Sequence, residues 1–259
     1  MKYIKYILLF FPIIFFGQQV ISTKLISKHS EELKTLVSID KYNTLYSFNN
    51  TTFYSKGSNG NFEYTNLQLG DITWANTFNP LKINLFYKDF NTVIILDNRL
   101  SEIKKIDFNS LSPFRLVSKI SSANDNNIWV FNDNTQQLEL FDFITNKSKY
   151  KTLPIDGVVY DLKSNYNTCW LLTKEHLYIY SYFGSLLKKM KNNGFTSIEE
   201  SNGSVILKKD NSLFYLKHDS ENPLQISVPN LLINRFFVTN ETLYIYDGEM
   251  LHQYQLLND

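Results

Sequence analysis

Cysteine is almost missing from this 259-residue chain. Cys169 is the only one, which excludes an intramolecular disulfide framework and any zinc site built on several thiolates. Glycine is scarce too, at 9 residues, and none of it forms a phosphate-cradling loop or a Gly-x-Ser-x-Gly nucleophile elbow. There is no His-Glu-x-x-His zinc pair. An excess of charge is also lacking: 26 basic against 25 acidic residues leave +1, so the electrostatic case for a nucleic-acid partner falls away. No apolar run approaches the roughly 20 residues that a membrane-spanning helix takes, so no membrane span is expected in the mature chain.

The longest apolar run, Tyr6 to Phe16, follows Lys2 and Lys5 and ends at Gly17 before Gln18 and Gln19. Charged start, short apolar middle and small terminal residue make residues 1–17 an expected secretory signal peptide, with cleavage at Gly17/Gln18 despite the bulky Phe15 at position −3. No cysteine follows the run to carry a lipid anchor. Residues 18–259 are then an exported domain.

That domain is rich in aromatic residues, with 17 Tyr, 20 Phe and 3 Trp, and shows almost no helical period. Short β-branched and aromatic runs alternate with Asn, Asp, Ser and Gly, an all-β signature. The runs recur as a group. Taking Ser47, Phe86, Val130, Leu171, Leu207 and Ile245 as equivalent positions in the second strand of each group, the spacings are 39, 44, 41, 36 and 38. The third strands keep step, from Thr52–Tyr54 through Val93–Leu96, Leu138–Phe141, Leu177–Tyr180 and Leu213–Leu216 to Leu251–Tyr254. A period near forty predicts a single β-propeller of about six blades, with five and seven open. The last group has three strands before the chain ends, and Val20–Ile26 is a strand-like segment left over at the mature N-terminus. Pairing the two closes the last blade and covers a bare edge. Most aromatics, Trp129 and Trp170 among them, are then expected between blades.

Few residues carry chemistry. His29, His176, His218 and His252 are scattered through different groups and read as surface or turn histidines; Cys169 reads as a buried, inert thiol beside Trp170. Asn132-Asp133-Asn134 lacks the glycine and distal glutamate of a calcium loop, and Lys188-Lys189-Met190-Lys191 reads as a solvated outer strand or loop. No cofactor or metal is expected. If the domain is an enzyme, the first-strand acids Asp40, Asp161, Glu199 and Glu200 are placed to converge on a central channel. Asp161 and Glu199 are then the pair for glycoside hydrolysis.

Lysine far outnumbers arginine, which occurs only as Arg99, Arg115 and Arg235, and asparagine recurs throughout. With the signal ending Phe-Gly-Gln-Gln, the chain resembles exported proteins of the Bacteroidota, and in size and expected architecture it resembles their small periplasmic propellers, the plug subunits of type IX secretion translocons among them. The resemblance implies a periplasmic, non-catalytic protein that binds an outer-membrane protein assembly and plugs the periplasmic mouth of the translocon. The alternative is a carbohydrate-active or glycan-binding propeller.

Overall fold

The computed structural model describes residues 20–30, 35–239 and 241–257, with the side chain of Ser201 left aside; the expected signal peptide over 1–17 lies outside them. Among these residues the regular structure is β-strand apart from one 3-10 turn at Lys88–Phe90. A long strand, β1 (Val20–Ser30), comes first. The rest fall into successive antiparallel groups. The first group is β2 (Thr35–Ile39), β3 (Leu45–Asn49), β4 (Thr52–Gly57) and β5 (Gly60–Thr65), and the second is β6 (Trp74–Asn76), β7 (Ile83–Tyr87), β8 (Thr92–Leu96) and β9 (Glu102–Asp107). The third is β10 (Val117–Ser122), β11 (Asn127–Asn132), β12 (Gln137–Asp142) and β13 (Lys147–Lys151), followed by β14 (Val159–Ser164), β15 (Thr168–Thr173), β16 (His176–Ser181) and β17 (Leu186–Lys191). These four groups are separate four-stranded sheets. The fifth group, β18 (Ser197–Ser201), β19 (Ser204–Lys209), β20 (Ser212–Leu216) and β21 (Leu224–Ile226), and the last, β22 (Arg235–Thr239), β23 (Thr242–Tyr246) and β24 (Met250–Leu257), share one mixed eight-stranded sheet through β1. There β1 runs parallel to β21 over Val20 and Ile21 and antiparallel to β24 over Ser22–Ser30.

The forty-residue period is a register. The second-strand residues Ser47, Phe86, Val130, Leu171, Leu207 and Ile245 lie opposite Leu36, Trp74, Ile120, Leu162, Ile198 and Phe236 of the first strands. On their other side they face Tyr54, Val93, Glu139, Tyr178, Phe214 and His252 of the third strands. Tight turns between strands use Asn43, Asn50, Asn91, Asp125, Asn146, Asn202 and Asp210 at positive φ, which is how a chain poor in glycine makes them.

The second strands of the second, third and fourth groups, with β8, are buried at every residue, so these groups pack against neighbours on both faces. Six apolar clusters result, each joining two consecutive groups, and one of them joins the last group to the first through Phe237, Tyr244, Leu36 and Ile39. Trp129 and Trp170 are 1% and 2% exposed within two of these clusters, and Cys169 is buried beside them with its thiol pKa pushed up by burial. Sheets stacked face to face in this order form a β-propeller.

Side-chain hydrogen bonds tie the same neighbours. At the C-terminal ends of the first strands Ser38 meets Thr77 (2.5 Å), the Ser122 hydroxyl donates to Asn76 (2.7 Å), and that of Ser164 to Ser121 (2.7 Å). The Asn165 amide donates to Glu200 (3.0 Å) and the Thr239 hydroxyl to the Ile39 carbonyl (2.6 Å). The fifth and last groups are joined by Lys208 and Asn211, which donate to the Ile233 and Leu231 carbonyls.

One charged pair lies inside the core. Glu139, between Leu138 and Leu140 on β12, is fully buried and accepts a hydrogen bond from Arg115 Nε at 2.9 Å, with further donors in Asn132 and Ser148. Burial alone raises a carboxyl pKa; here the hydrogen bonds from Asn132, Ser148 and Arg115 outweigh it and hold Glu139 below its ordinary value. Its stabilising contribution is therefore present above the ordinary carboxylate range and is lost as pH falls through the lowered value. Arg115→Met removes the nearer of two cations from the buried carboxylate, leaving Lys151 at 3.7 Å with Asn132 and Ser148, and is expected to cost about 1–3 kcal/mol in urea unfolding. Glu139→Gln in the same titration should flatten the loss of stability on acidification; an unchanged acid slope would refute this account.

Candidate functional site

Because each group is an antiparallel meander, its connectors alternate between two ends. Those after first and third strands lie at the end marked by the Ser38–Thr77 and Ser122–Asn76 bonds, called here the hydroxyl end. The links from one group to the next lie at the far end.

Between the first strands runs a channel that is pinched in the middle. The Lys163 ammonium pairs with Glu199 at 2.7 Å and sits 5.6 Å from the centre of the Trp74 ring, so three groups meet across the axis. Around this pinch only about 50 Å³ is open, beside Arg235, Leu36 and Phe236. A cavity of about 730 Å³ opens toward the far end, lined by Trp74, Phe86, Lys88, Lys119, Phe131, Asp133, Val158 and Asp161 among others. Another of about 390 Å³ opens toward the hydroxyl end, lined by Asp40, Lys41, Phe78, Pro80, Tyr166, Glu199, Glu200 and Asn202 among others.

The two acids singled out in the sequence thus line different cavities. Asp161 is on the far side, where its Oδ2 accepts the Ile198 amide at 3.0 Å and its Oδ1 the Leu162 amide at 2.9 Å. Glu199 lines the pinch and the hydroxyl-end cavity, bound to Lys163. Although about a quarter of the Glu199 side chain is still reached by water, burial and the neighbouring Asp161 raise its carboxyl above the ordinary value despite Lys163. Burial opposes the charge on Lys163, but the Glu199 and Asp161 carboxylates outweigh it and raise the amine. Glu200 accepts the Asn165 amide and the Gly203 backbone N–H, the latter at 2.8 Å. Asp40 is not on a first strand: it follows β2 and shapes a turn, its Oδ1 accepting the Tyr42 and Thr44 amides. A carboxylate so placed serves the turn rather than the axis.

Two histidine expectations also need correction. His252 is on β24, not in a turn, and its ring nitrogen meets Asp247 at 2.8 Å in a half-buried pair; His176 is half-buried on β16. His218 is exposed beside Asp219, and His29 is half-buried on β1. Asn132 and Asp133 are spent on internal bonds to Glu139 and Ser118, and Lys188–Lys191 form the outer strand β17, with Lys188 bonded to the Ser220 carbonyl. Among the described residues no group of three His, Cys, Asp or Glu side chains is arranged to hold a metal ion, and no helix is long and apolar enough to cross a membrane.

Sequence reasoning missed two features. Lys163, two residues after Asp161, is the cation that closes the axis, and the alternation of side chains along β14 is the only signal for it. At the far end Phe90, Phe114, Leu116, Leu153 and Val158 all stand exposed on connectors of the second and third groups, Val158 also lining the larger cavity; Leu153 is 85% exposed.

No protein-family model matches the chain, and no curated protein matches it in sequence. Solved structures do match in shape, as β-propellers. A streptogramin B lyase aligns with a TM-score of 0.64 at 12% identity, covering 90% of this chain and 88% of its own. The Pan2 WD40 domain of Neurospora crassa gives 0.60 at 10% identity over 88% and 76%, and BamB from Moraxella catarrhalis gives 0.53 at 7% over 90% and 99%. At such identities the likeness establishes the fold alone.

Lys163→Met removes the cation shared by Glu199 and Trp74. Because both partners of the ion pair keep some access to water, the expected cost is about 1–2 kcal/mol, between the exposed and the buried case. Urea unfolding checks it; an unchanged midpoint would show that the pinch contributes nothing to stability.

Proposed function

We propose that this chain is a six-bladed β-propeller whose last blade is completed by β1, and that it is a non-catalytic, exported protein that binds an outer-membrane protein assembly from the periplasm. Plugging the periplasmic mouth of a type IX secretion translocon is its specific form. The blade count is supported by the six strand groups and six inter-group clusters, and the completed blade by the antiparallel register of β1 with β24.

The observation that carries the binding half is the far-end surface. Phe90, Phe114, Leu116, Leu153 and Val158 are exposed on neighbouring connectors of a rigid scaffold. Exposed apolar side chains on adjacent connectors are a usual mark of a protein-binding surface, and the hydroxyl-end connectors expose others in Tyr42, Leu81, Ile144, Tyr166, Tyr182 and Phe183. The placement of Asp161 and Glu199 points the same way: each is held by internal bonds and they open on different cavities, whereas glycoside hydrolysis needs both carboxyls on one substrate.

A second reading, a glycan-binding propeller, draws on the hydroxyl-end cavity. There Phe78 and Tyr166 pack edge to face at 4.9 Å among Asn202, Asp40 and Glu200, an aromatic surface beside hydrogen-bonding groups.

Affinity purification of a tagged chain from native envelope membranes separates the readings. Recovery of an outer-membrane assembly is expected, and Phe114→Asp with Leu153→Asp should weaken it about tenfold, as loss of buried apolar contact does. Absence of any outer-membrane partner would overturn the first reading, and binding to a cell-wall or plant glycan, lost with Tyr166→Ala, would favour the second.

A further inference from the structure

The cavity that opens toward the far end holds two lysines that the fold does not pair. Lys119 on β10 lies one residue before Ile120, as Asp161 on β14 lies one residue before Leu162; Ile120 and Leu162 face the equivalent second-strand positions Val130 and Leu171. Lys119 and Asp161 therefore hold matching places on neighbouring first strands, and an ion pair between them would be the simplest use of both. It does not form. Asp161 gives one oxygen to the Leu162 amide and the other to the Ile198 amide of the next group, while Asp133, also on the cavity wall, accepts the Ser118 hydroxyl at 2.6 Å.

Among the described residues the Lys119 ammonium makes no hydrogen bond and no ion pair, although its side chain is half-buried. Lys88, exposed on the 3-10 turn between β7 and β8, lines the same cavity and has no ion pair among them either. Burial lowers the Lys119 amine below its ordinary value; Asp161 and Asp133 pull the other way, and the charges of Lys88 and Lys163 add to the burial. An ammonium partly removed from water and left without a partner costs free energy, and here a second positive charge acts on it. A negative group between Lys119 and Lys88 would relieve both.

The rest of the wall suits a ligand of moderate size. The space is about 730 Å³, within the roughly 300–1,000 Å³ of small-molecule sites. Trp74 is half-buried and lines both this cavity and the pinch, so part of its indole is turned to the open space, and the exposed Val158 adds an aliphatic side chain.

We propose that the far-end cavity binds a small organic monoanion, its acidic group held between Lys119 and Lys88 and its apolar body laid against Trp74 and Val158. One negative group is accommodated rather than several, because Asp133 and Asp161 share the wall with the two lysines. A cation is disfavoured by the unpaired ammoniums, and an uncharged sugar would leave them as they are. Of the five exposed far-end side chains only Val158 lines the cavity, so the site does not depend on the surface offered to a protein partner.

The test uses residues 18–259, with naphthylacetate as probe and naphthylacetamide as its uncharged twin. Trp129 and Trp170 are buried between groups, so fluorotryptophan labelling gives a fluorine NMR signal that reports on the cavity from Trp74 and is assigned with Trp74→Phe. The acid is expected to shift that signal and, in calorimetric titration, to bind about tenfold more tightly than the amide. Lys119→Gln should weaken the acid about tenfold, Lys88→Gln less because Lys88 is exposed, and Lys119→Arg, which keeps the charge, should retain most of the affinity. Circular dichroism should be unchanged in all three. Equal binding of acid and amide, full affinity in Lys119→Gln, an equal loss in Lys119→Arg, shifts confined to the Trp129 and Trp170 signals, or no binding at millimolar acid would overturn the proposal.

Discussion

A four-stranded sheet whose middle strands are apolar on both faces cannot stand in water; it must have another sheet on each side. That constraint governs this molecule. β7 and β8 are buried at every residue, as are β11 and β15, so no group folds by itself and each interface is shared. The chain meets the demand by repetition, each group of about forty residues covering one face of the next. The aromatic excess follows, since large rings such as Trp129, Phe141 and Trp170 fill the space between twisted sheets with few side chains. So does the scarcity of glycine: asparagine and aspartate take many of the positive-φ turn positions, and at some of the remaining ones only glycine has room. At Gly184, with φ of +85°, an added Cβ would lie 1.9 Å from the Tyr150 ring.

Apolar burial alone does not choose a neighbour, because any of these faces could pack on any other. The polar ties do that. Asn84, Ser122 and Asn76 form a buried chain between the second and third groups, and Ser121 and Ser164 continue it to the fourth. A buried hydroxyl or amide placed against the wrong sheet would lose its partner at a cost of about 1–3 kcal/mol. Arg115 and Glu139 raise that penalty within the third group, where the carboxylate also orders Asn132 and Ser148 and so fixes the connector entering β10 against β12. Order in the stack is thus written in polar residues and stability in apolar ones.

This division explains what was legible in the sequence. The apolar pattern is local and periodic, so the positions from Ser47 to Ile245 could be aligned by spacing, and the structure puts all of them in one register. The polar partners are not periodic. Arg115, on the connector entering β10, finds Glu139 on β12, Lys163 finds Glu199 in the next group, and Trp74 meets Lys163 across the axis; no spacing rule links them, and only the assembled fold brings them together. The same limit misplaced Asp40, which a strand pattern assigns to β2 but which its own side chain bends into a turn. It also hid that Asp161 and Glu199, on neighbouring first strands, open to opposite sides of the pinch.

Function on a repeated scaffold must come from what is not repeated. The sheets fix the connectors in place but do not dictate their content, and the connectors are where the groups diverge: the second group leads into the third through an exposed Phe114 and Leu116, and the third into the fourth through Leu153 and Val158. The same holds for β1, which at eleven residues is the longest strand and has no counterpart in the other groups. Exposed leucines also stand on the links from the first group to the second (Leu67) and from the fifth to the last (Leu232), so what sets the second and third groups apart is the number of such side chains, not their presence. A connector that exposes phenylalanine and leucine gains no stability from doing so. A partner is therefore to be sought at the irregular parts of this propeller rather than at its regular ones.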